Sequence, residues 1–348
     1  MISSSTTEIV FCGPSHQPLW DGYVQQSAAA TISHQFAWQS VIRDTYDHQT
    51  PYLMAKEGET VKGIFPLVMV RGFFDASLTS MPFMDYGGIC ADDQETAQAL
   101  LDHAMRLMRE RRCRALEIRQ ALPLVHVGTL RSDKASMLLD LSGGIDTLWR
   151  SLPAKVRNQV RKAEKSGLTT IMGGLELLDE FYKVFAVNMR DLGSPVHSRT
   201  FFRRMGTALG PQMRVILVRH GQHTVGGGVC LFFKDTMLVP WASSLREHFA
   251  KCPNNLLYWE AIQHGCKHGY RTFDFGRSSV GSGTFEFKKQ WGARPLTLPW
   301  RLLTQDGGSG STLSASDVKY RLLAEIWRRL PVSVSRVLGP RIRKHLTN

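Results

Sequence analysis

A lysine next to aromatic residues, shortly after a glycine- and serine-rich stretch, is the feature of the sequence with the clearest chemical use. Apolar and polar residues alternate over 284–291, which predicts a β-strand with Phe285 and Phe287 on one face and Glu286 and Lys288 on the other. A lysine held there could supply fixed positive charge to a developing oxyanion. A surface lysine is the alternative interpretation.

A carboxylate precedes this lysine. The predicted strand 272–275 places Asp274 on the face opposite Phe273 and Phe275. Asp274 could be a catalytic acid or base, or it could cap the turn that follows, and we favour the capping role. The predicted loop after it, which could approach a ligand or simply turn, contains Gly276, Ser278, Ser279, Gly281, Ser282 and Gly283.

A strongly basic segment lies in the middle of the chain. Residues 152–167, with Ser151 as a candidate N-cap and Pro153 in the first turn, predict one helix. Arg157 and Arg161 lie four residues apart beside an apolar stripe. The segment contains five basic residues and only one acidic residue. The face could bind a phosphate or be a solvated surface, and both interpretations stay open. The stripe consists of Leu152, Val156, Val160 and Ala163.

Three other patterns give weaker evidence of a functional site. His264 and His268 share a helix face, but without a further well-spaced ligand we expect no metal site. Gly226-Gly227-Gly228 has neither the spacing nor the following helix of a nucleotide-binding loop. Pro253-Asn254-Asn255 predicts a helix start, where free backbone N–H groups favour an anion.

An internal repeat organises the elements that must position these residues. Residues 53–63 align without gaps with 216–226, and in both copies an apolar run meets a turn glycine, Gly58 or Gly221. Each copy predicts a β-hairpin followed by a long helix and a short apolar strand. The sequence therefore predicts two α/β domains of one fold that arose by internal duplication.

The predicted boundaries follow from this repeat. We expect a first domain over 1–145, a basic inter-domain helix over 146–169 and a second domain over 170–305. A Gly/Ser linker is expected over 306–316, followed by a basic amphipathic tail over 317–348. The tail carries eight Lys or Arg against two acids, with apolar residues at helical spacing. It could lie on an anionic membrane surface or dock on its own domain, and docking is slightly favoured.

Composition excludes several classes of protein. Of the 348 residues 43% are apolar and 21% charged, and Lys plus Arg exceed Asp plus Glu by 43 to 30, a formal charge of +13. No apolar run approaches the roughly 18 to 20 residues of a membrane helix, and the first residues lack the features of a secretion signal. Six cysteines without a CxxC pair predict no disulfide framework. We therefore expect a cytoplasmic protein.

Five motifs together resemble the FemAB family of aminoacyl and acyl transferases, which are built from two tandem GNAT-like (acyl-CoA N-acyltransferase-like) domains. The resemblance covers about residues 140–300 well and is closest to the subgroup associated with PEP-CTERM/exosortase exopolysaccharide systems. The motifs are R-N-x-x-R-K-A-E-K-S-G (157–167), N-x-x-x-L-G-S-P-x-H (188–197), P-N-x-L-x-Y-W-E (253–260), F-D-F-G-R-S (273–278) and F-K-x-Q-W-G (287–292).

The resemblance implies transfer of an acyl or aminoacyl group from an activated ester or thioester to an amine. It implies that Arg157 and Arg161 contact a phosphate or the acceptor, and that Lys288 stabilises the transfer state. Trp291 stands where peptidoglycan-building members usually have Phe. Glu286, Asp274 and Asp85 are candidates for the general base. Further candidate substrate-binding residues are Asn158, Tyr86, Asn254, Tyr258, Phe287 and Trp291.

The sequence thus predicts an acyl- or aminoacyltransferase without a permanently bound cofactor, which uses acyl-CoA or aminoacyl-tRNA as co-substrate. The expected acceptor is a phosphate-bearing amine of envelope or exopolysaccharide assembly, either nucleotide-sugar or lipid-linked. One alternative is an acyl-CoA-dependent N-acyltransferase of a small molecule or sugar nucleotide. The other is a non-enzymatic protein that binds nucleic acid or anionic lipid through its basic regions.

Overall fold

The secondary structure comes from a computed structural model that describes residues 7–73, 75–120, 127–131, 133–305 and 318–347. The strands are β1 (Glu8–Phe11), β2 (Leu53–Glu57), β3 (Thr60–Phe65), β4 (Leu67–Arg71), β5 (Ala76–Ser80), β6 (Cys90–Ala91), β7 (Ala115–Ile118), β8 (Thr129–Arg131), β9 (Lys134–Asp140), β10 (Leu168–Gly173), β11 (Met213–His220), β12 (His223–Phe233), β13 (Thr236–Ser244), β14 (Thr272–Ser279), β15 (Arg294–Thr297) and β16 (Trp300–Thr304). The α-helices are α1 (Gln17–Gln26), α2 (Ala37–Tyr46), α3 (Gln94–Glu110), α4 (Gly144–Ser151), α5 (Ala154–Lys165), α6 (Leu178–Asp191), α7 (Arg199–Leu209), α8 (Pro253–Lys267), α9 (Gly283–Lys289), α10 (Val318–Arg328) and α11 (Val332–Arg343).

The described residues form two units, and neither is continuous in sequence. The first contains the residues up to 133 together with 298–305 and 344–347, and the second contains 134–297 and 318–343. This division differs from the predicted contiguous boundaries because β9 pairs in the second unit's sheet and β16 pairs in the first unit's sheet. The predicted linker over 306–316 lies outside the described residues.

One seven-stranded sheet forms the second unit, in the order β10-β11-β12-β13-β14-β9-β15. Its neighbouring strands are antiparallel except for β13 and β14, which run parallel. Their register ends at Leu238 and Asp274, although β13 continues to Ser244 and β14 to Ser279. The sheet therefore opens between the carboxyl ends of these two strands.

The first unit repeats the same order of elements. The hairpin of β2 and β3 is followed by α3 and β7, as the hairpin of β11 and β12 is followed by α8 and β14. Both turn glycines have the positive φ that favours glycine, 59° at Gly58 and 58° at Gly221. In this unit β7 pairs in parallel with β5. The predicted duplication of one α/β fold is confirmed.

The segment 146–169, predicted as one inter-domain helix, contains most of α4, all of α5 and the start of β10, and it belongs to the second unit. The predicted stripe is buried in the same core as Leu256 and Leu257 of α8. Ser151 does not cap α5, because its Oγ donates to the Leu148 carbonyl of α4 at 2.8 Å. Pro153 occupies the N-cap position instead.

The predicted C-terminal helical tail is present as α10 and α11, and both helices contact α6 of the second unit. Ala324 and Trp327 of α10 are buried. In α11, a Cβ added at Gly339 would lie 2.9 Å from the Val196 backbone nitrogen, so the absent side chain permits a close approach. None of the described helices has the length and apolar character needed to cross a membrane.

Candidate functional site

The helix α9 covers residues 283–289, of which 284–289 were predicted as part of a β-strand. Ser282 occupies the N-cap position and accepts a hydrogen bond from the Phe285 N–H at 3.3 Å. Phe285 and Lys288, three residues apart, are therefore on the buried side of the helix, and Glu286 is exposed. The prediction that Glu286 and Lys288 share one face was wrong. Alternation of apolar and polar residues over so short a run does not distinguish a strand from a short helix.

Lys288 is a buried lysine, with 7% of the residue exposed. Its Nζ donates to the carbonyl oxygens of Gly276 at 2.8 Å and of Arg277 at 3.0 Å. Hydrogen bonds from an ammonium group are stronger than those between neutral groups. The alternative of a solvated surface lysine does not hold, and the positive charge is fixed at the backbone of β14.

Asp274 also forms hydrogen bonds in this part of β14. Its Oδ1 accepts from the Ser136 Oγ of β9 at 2.6 Å and from the Gly276 N–H at 2.8 Å. The register between β14 and β9 shifts after Asp274, and Gly276 has a φ of 72°. The carboxylate thus caps a bulge in β14, as the favoured sequence interpretation describes.

The predicted glycine-rich loop is shorter than expected. Gly276, Ser278 and Ser279 belong to β14, and only residues 280–282 connect that strand to α9. Lys134 at the start of β9 donates from Nζ to the Ser279 Oγ at 2.6 Å. The carbonyls that bind Lys288 are therefore part of the sheet, and their positions are set by strand pairing.

An aromatic cluster surrounds this end of α9. The Tyr258 ring of α8 lies 5.0 Å from Phe275, 5.7 Å from Phe287 and 6.5 Å from Trp291, measured between ring centroids. Burial raises the pKa of the Tyr258 hydroxyl above its ordinary value, so the phenol is neutral at pH 7. Trp291 is 1% exposed, and its Nε1 has no hydrogen-bond partner among the described residues. The structure thus brings Tyr258, Phe287 and Trp291 together beside Lys288.

Polar residues line the end of β13, on the other side of the opening in the sheet. Ser244 Oγ donates to Asn254 Oδ1 in the first turn of α8 at 2.7 Å. Asn188 of α6 donates from Nδ2 to Ser243 Oγ at 2.9 Å. The serines were missed because two small polar residues in a strand give no signal, whereas Asn188 opens one of the quoted motifs. The predicted helix start at Pro253 is confirmed.

The basic helix α5 contacts α8, which also carries Tyr258. Asn255 of α8 donates from Nδ2 to Gln159 Oε1 of α5 at 3.3 Å. Arg161 is exposed, with its guanidinium carbon 5.4 Å from the Trp149 ring centroid. Arg157 is half-buried, and its Nε lacks a hydrogen-bond partner among the described residues. Asn158 is exposed.

Two candidate residues lie in the first unit. Tyr86 is buried there. The carbonyl of Asp85 accepts a hydrogen bond from Trp300 Nε1 at 3.1 Å. Tyr258, Phe287, Lys288 and Trp291 belong to the second unit.

His197 of the quoted L-G-S-P-x-H motif is a further buried polar group of the second unit. Arg343 of α11 donates from Nε to His197 Nε2 at 3.1 Å. Burial, followed by the charge of Arg343, lowers the pKa of His197 well below its ordinary value. The imidazole is therefore neutral at pH 7, and its proton is assigned to Nδ1 because Nε2 accepts.

The arrangement in the second unit suits electrostatic catalysis. It has a fixed ammonium, an aromatic wall and polar groups at an opening in a sheet, each held by backbone or helix contacts. No group of three or more His, Cys, Asp or Glu within the described ranges could hold a metal ion.

Comparison with known proteins places these features in a shared fold. Residues 150–289 match the family model of the acetyltransferase (GNAT) domain. No curated protein sequence matches the chain. The structure is similar to that of FemX, with 14% identity, a TM-score of 0.67 and coverage of 84% of this chain and 96% of that one.

Two further solved structures show the same similarity. A tandem GNAT protein from the clavulanic acid biosynthesis pathway is 15% identical, with a TM-score of 0.55 and coverage of 88% of this chain and 100% of that one. L-PGS from Bacillus licheniformis is 13% identical, with a TM-score of 0.55 and coverage of 92% and 98%. The chain therefore has a mixed α/β fold of two tandem GNAT-like domains with a helical C-terminal tail.

Proposed function

We propose that this chain is a transferase that moves an acyl or aminoacyl group from an activated ester or thioester to an amine. The carrying observation is Lys288, an ammonium fixed at the β14 bulge next to the opening between β13 and β14. The match of 150–289 to the acetyltransferase domain model supports the same class of reaction.

The chemistry requires only groups of this kind. The amine lone pair attacks the donor carbonyl carbon, and the carbonyl π electrons move to oxygen to give a tetrahedral oxyanion. The oxyanion collapses, the C–S or C–O bond breaks, and the leaving thiolate or alkoxide takes the proton that the amine loses. Positioning the two reactants contributes roughly 7 to 11 kcal/mol, and a fixed cation at the oxyanion contributes about 3 to 4 kcal/mol.

In this reaction Lys288 stabilises the oxyanion electrostatically. Asp274 positions Lys288, because it holds the bulge whose carbonyl oxygens bind the lysine. Tyr258, Phe287 and Trp291 exclude water from the reacting carbonyl, which strengthens the effect of the charge. Asn254 lies at the mouth of the opening and binds donor or acceptor polar groups. Glu286 is exposed one turn from the cluster, where it can exchange a proton with solvent.

We propose a phosphate-bearing amine as the acceptor, with Arg157 and Arg161 of α5 as its phosphate contacts and Asn158 beside them. Arginine suits this role because its planar guanidinium binds phosphate with two hydrogen bonds. The motif resemblance to FemAB proteins, including the subgroup of PEP-CTERM/exosortase systems, supports an acceptor from envelope or exopolysaccharide assembly.

Two measurements test this function. Mass spectrometry of small molecules that copurify with the protein should detect a thioester or a phosphate-bearing amine. Thermal unfolding should then be measured with acetyl-CoA and, separately, with deacylated tRNA. Stabilisation reaches about 2.7 kcal/mol when a ligand is present at a hundred times its Kd. Stabilisation by acetyl-CoA identifies a thioester donor, and stabilisation by tRNA alone identifies an aminoacyl ester. If neither stabilises the protein and no acyl transfer to copurified amines occurs, the proposal is wrong.

A further inference from the structure

The C-terminal helices are buried on one side and expose apolar residues on another. Ala324 and Trp327 of α10 are buried, while Leu322, Leu323 and Ile326 are 62%, 63% and 54% exposed. Because residues along a helix are spaced by about 100° around its axis, these apolar side chains form a face separate from the buried one. In α11 the exposed apolar residues are Val334, Val337 and Leu338.

This apolar surface is flanked by positive charge. Arg328 at the end of α10, Arg329 directly after it, and Arg336 and Arg341 of α11 are exposed. Glu325 is the single acid among the described residues of the tail. Glu325 pairs with Arg328 at 3.0 Å and with Arg329 at 3.5 Å. These exposed pairs contribute little to stability, so their geometry does not account for the excess of arginines.

We propose that α10 and α11 dock the protein on a lipid bilayer surface that carries anionic headgroups. The apolar side chains enter the boundary between headgroups and acyl chains, and the arginines contact lipid phosphates. A second copy of this chain is the less favourable occupant. A two-fold interface would place this positively charged surface against itself. The sequence left membrane contact and docking on the domain as alternatives. In this proposal one face of the helices packs on the domain and another face contacts the membrane.

The test uses the full-length protein and sedimentation with lipid vesicles. Vesicles of phosphatidylcholine with phosphatidylglycerol should bind the protein, and vesicles of phosphatidylcholine alone should bind it much more weakly. Increasing salt should release it, because screening weakens the attraction of the arginines. Absence of binding to the anionic vesicles would overturn the proposal.

A set of variants distinguishes binding through this surface from nonspecific binding to vesicles. The triple substitution Leu322→Ser, Leu323→Ser and Ile326→Ser should weaken binding at least tenfold while leaving thermal unfolding unchanged, because all three residues are exposed. A matched control replaces three exposed apolar residues outside the tail, Phe11, Leu130 and Ile171, by Ser and should bind as the wild type does.

The charge is tested separately. Arg329→Gln and Arg341→Gln should each weaken binding by about fivefold. Undiminished binding by the triple variant would refute the docking surface. A wild-type dimer in analytical ultracentrifugation that the triple variant abolishes would identify a second copy as the occupant and overturn the lipid assignment.

Discussion

Replacing Lys288 by Met tests whether the buried ammonium acts on the reaction or only on the fold. Methionine keeps the length and apolar stem of the side chain but removes the charge and the hydrogen bonds to Gly276 and Arg277. A fixed cation at an oxyanion contributes about 3 to 4 kcal/mol. Since 1.36 kcal/mol is a factor of ten, kcat should fall roughly a hundred- to a thousandfold.

The same substitution has opposing effects on stability. The carbonyls of Gly276 and Arg277 lose a charged donor, and each buried acceptor left without a partner costs about 1 to 3 kcal/mol. Removal of a buried charge offsets part of this cost, because an ammonium is expensive to desolvate. We therefore expect a folded variant with a lowered unfolding temperature and an unchanged KM for the acceptor.

The assay follows acyl transfer at saturating donor, with unfolding measured on the same samples. Lys289→Met is the matched control, because Lys289 is exposed on the same helix and its substitution changes the net charge equally. The control should retain kcat within about twofold. If Lys288→Met also retains it while folded, Lys288 only holds the bulge and the electrostatic argument fails. Lys288→Arg keeps the charge and should recover part of the lost rate.

Three further predictions concern neighbouring elements. Arg157→Ala should raise the acceptor KM several-fold without changing kcat, whereas Lys155→Ala on the same helix should change neither, and an unchanged KM for Arg157→Ala would remove α5 from the acceptor site. Ser282→Ala should lower the free energy of unfolding by about 1 kcal/mol in urea titration, because α9 loses its N-cap hydrogen bond. For His197, whose folded pKa is depressed, the unfolded state takes up a proton as pH falls below about 6.5 while the folded state does not. Stability should therefore decrease below that pH by up to about 1.4 kcal/mol per pH unit, and His197→Gln should flatten the slope measured by denaturant titration between about pH 6.5 and pH 5.

Local signals predicted much of the fold. The glycines at 58 and 221 mark both hairpin turns because both need positive φ. The helix start at Pro253 and the apolar stripe of α5 were also recognisable, since each depends on residues within a few positions of one another. These features are encoded locally, so one sequence is enough to find them.

The exchange of β9 and β16 between the two sheets could not be found in this way. Each strand has an ordinary short apolar pattern, and its partner lies more than a hundred residues away in sequence, as for Ser136 and Arg277 of the paired strands β9 and β14. The helix α9 was missed for the opposite reason. Its few residues fit both periodicities, and the Ser282 cap that decides between them was assigned to a loop.

The burial of Lys288 could not be predicted from the sequence either. Lysine is usually exposed, and only the surroundings that the fold creates bury this one. The ammonium is held by backbone carbonyls that face it only because β14 bulges at Gly276, and the bulge is held by Asp274. Asp274 in turn accepts from Ser136 of β9, a strand that precedes the second repeat in the chain. The charge at the proposed site therefore depends on β9, β14 and α9 together. It follows that the second repeat cannot build this site from its own residues alone, which gives the strand exchange a direct part in positioning the chemistry.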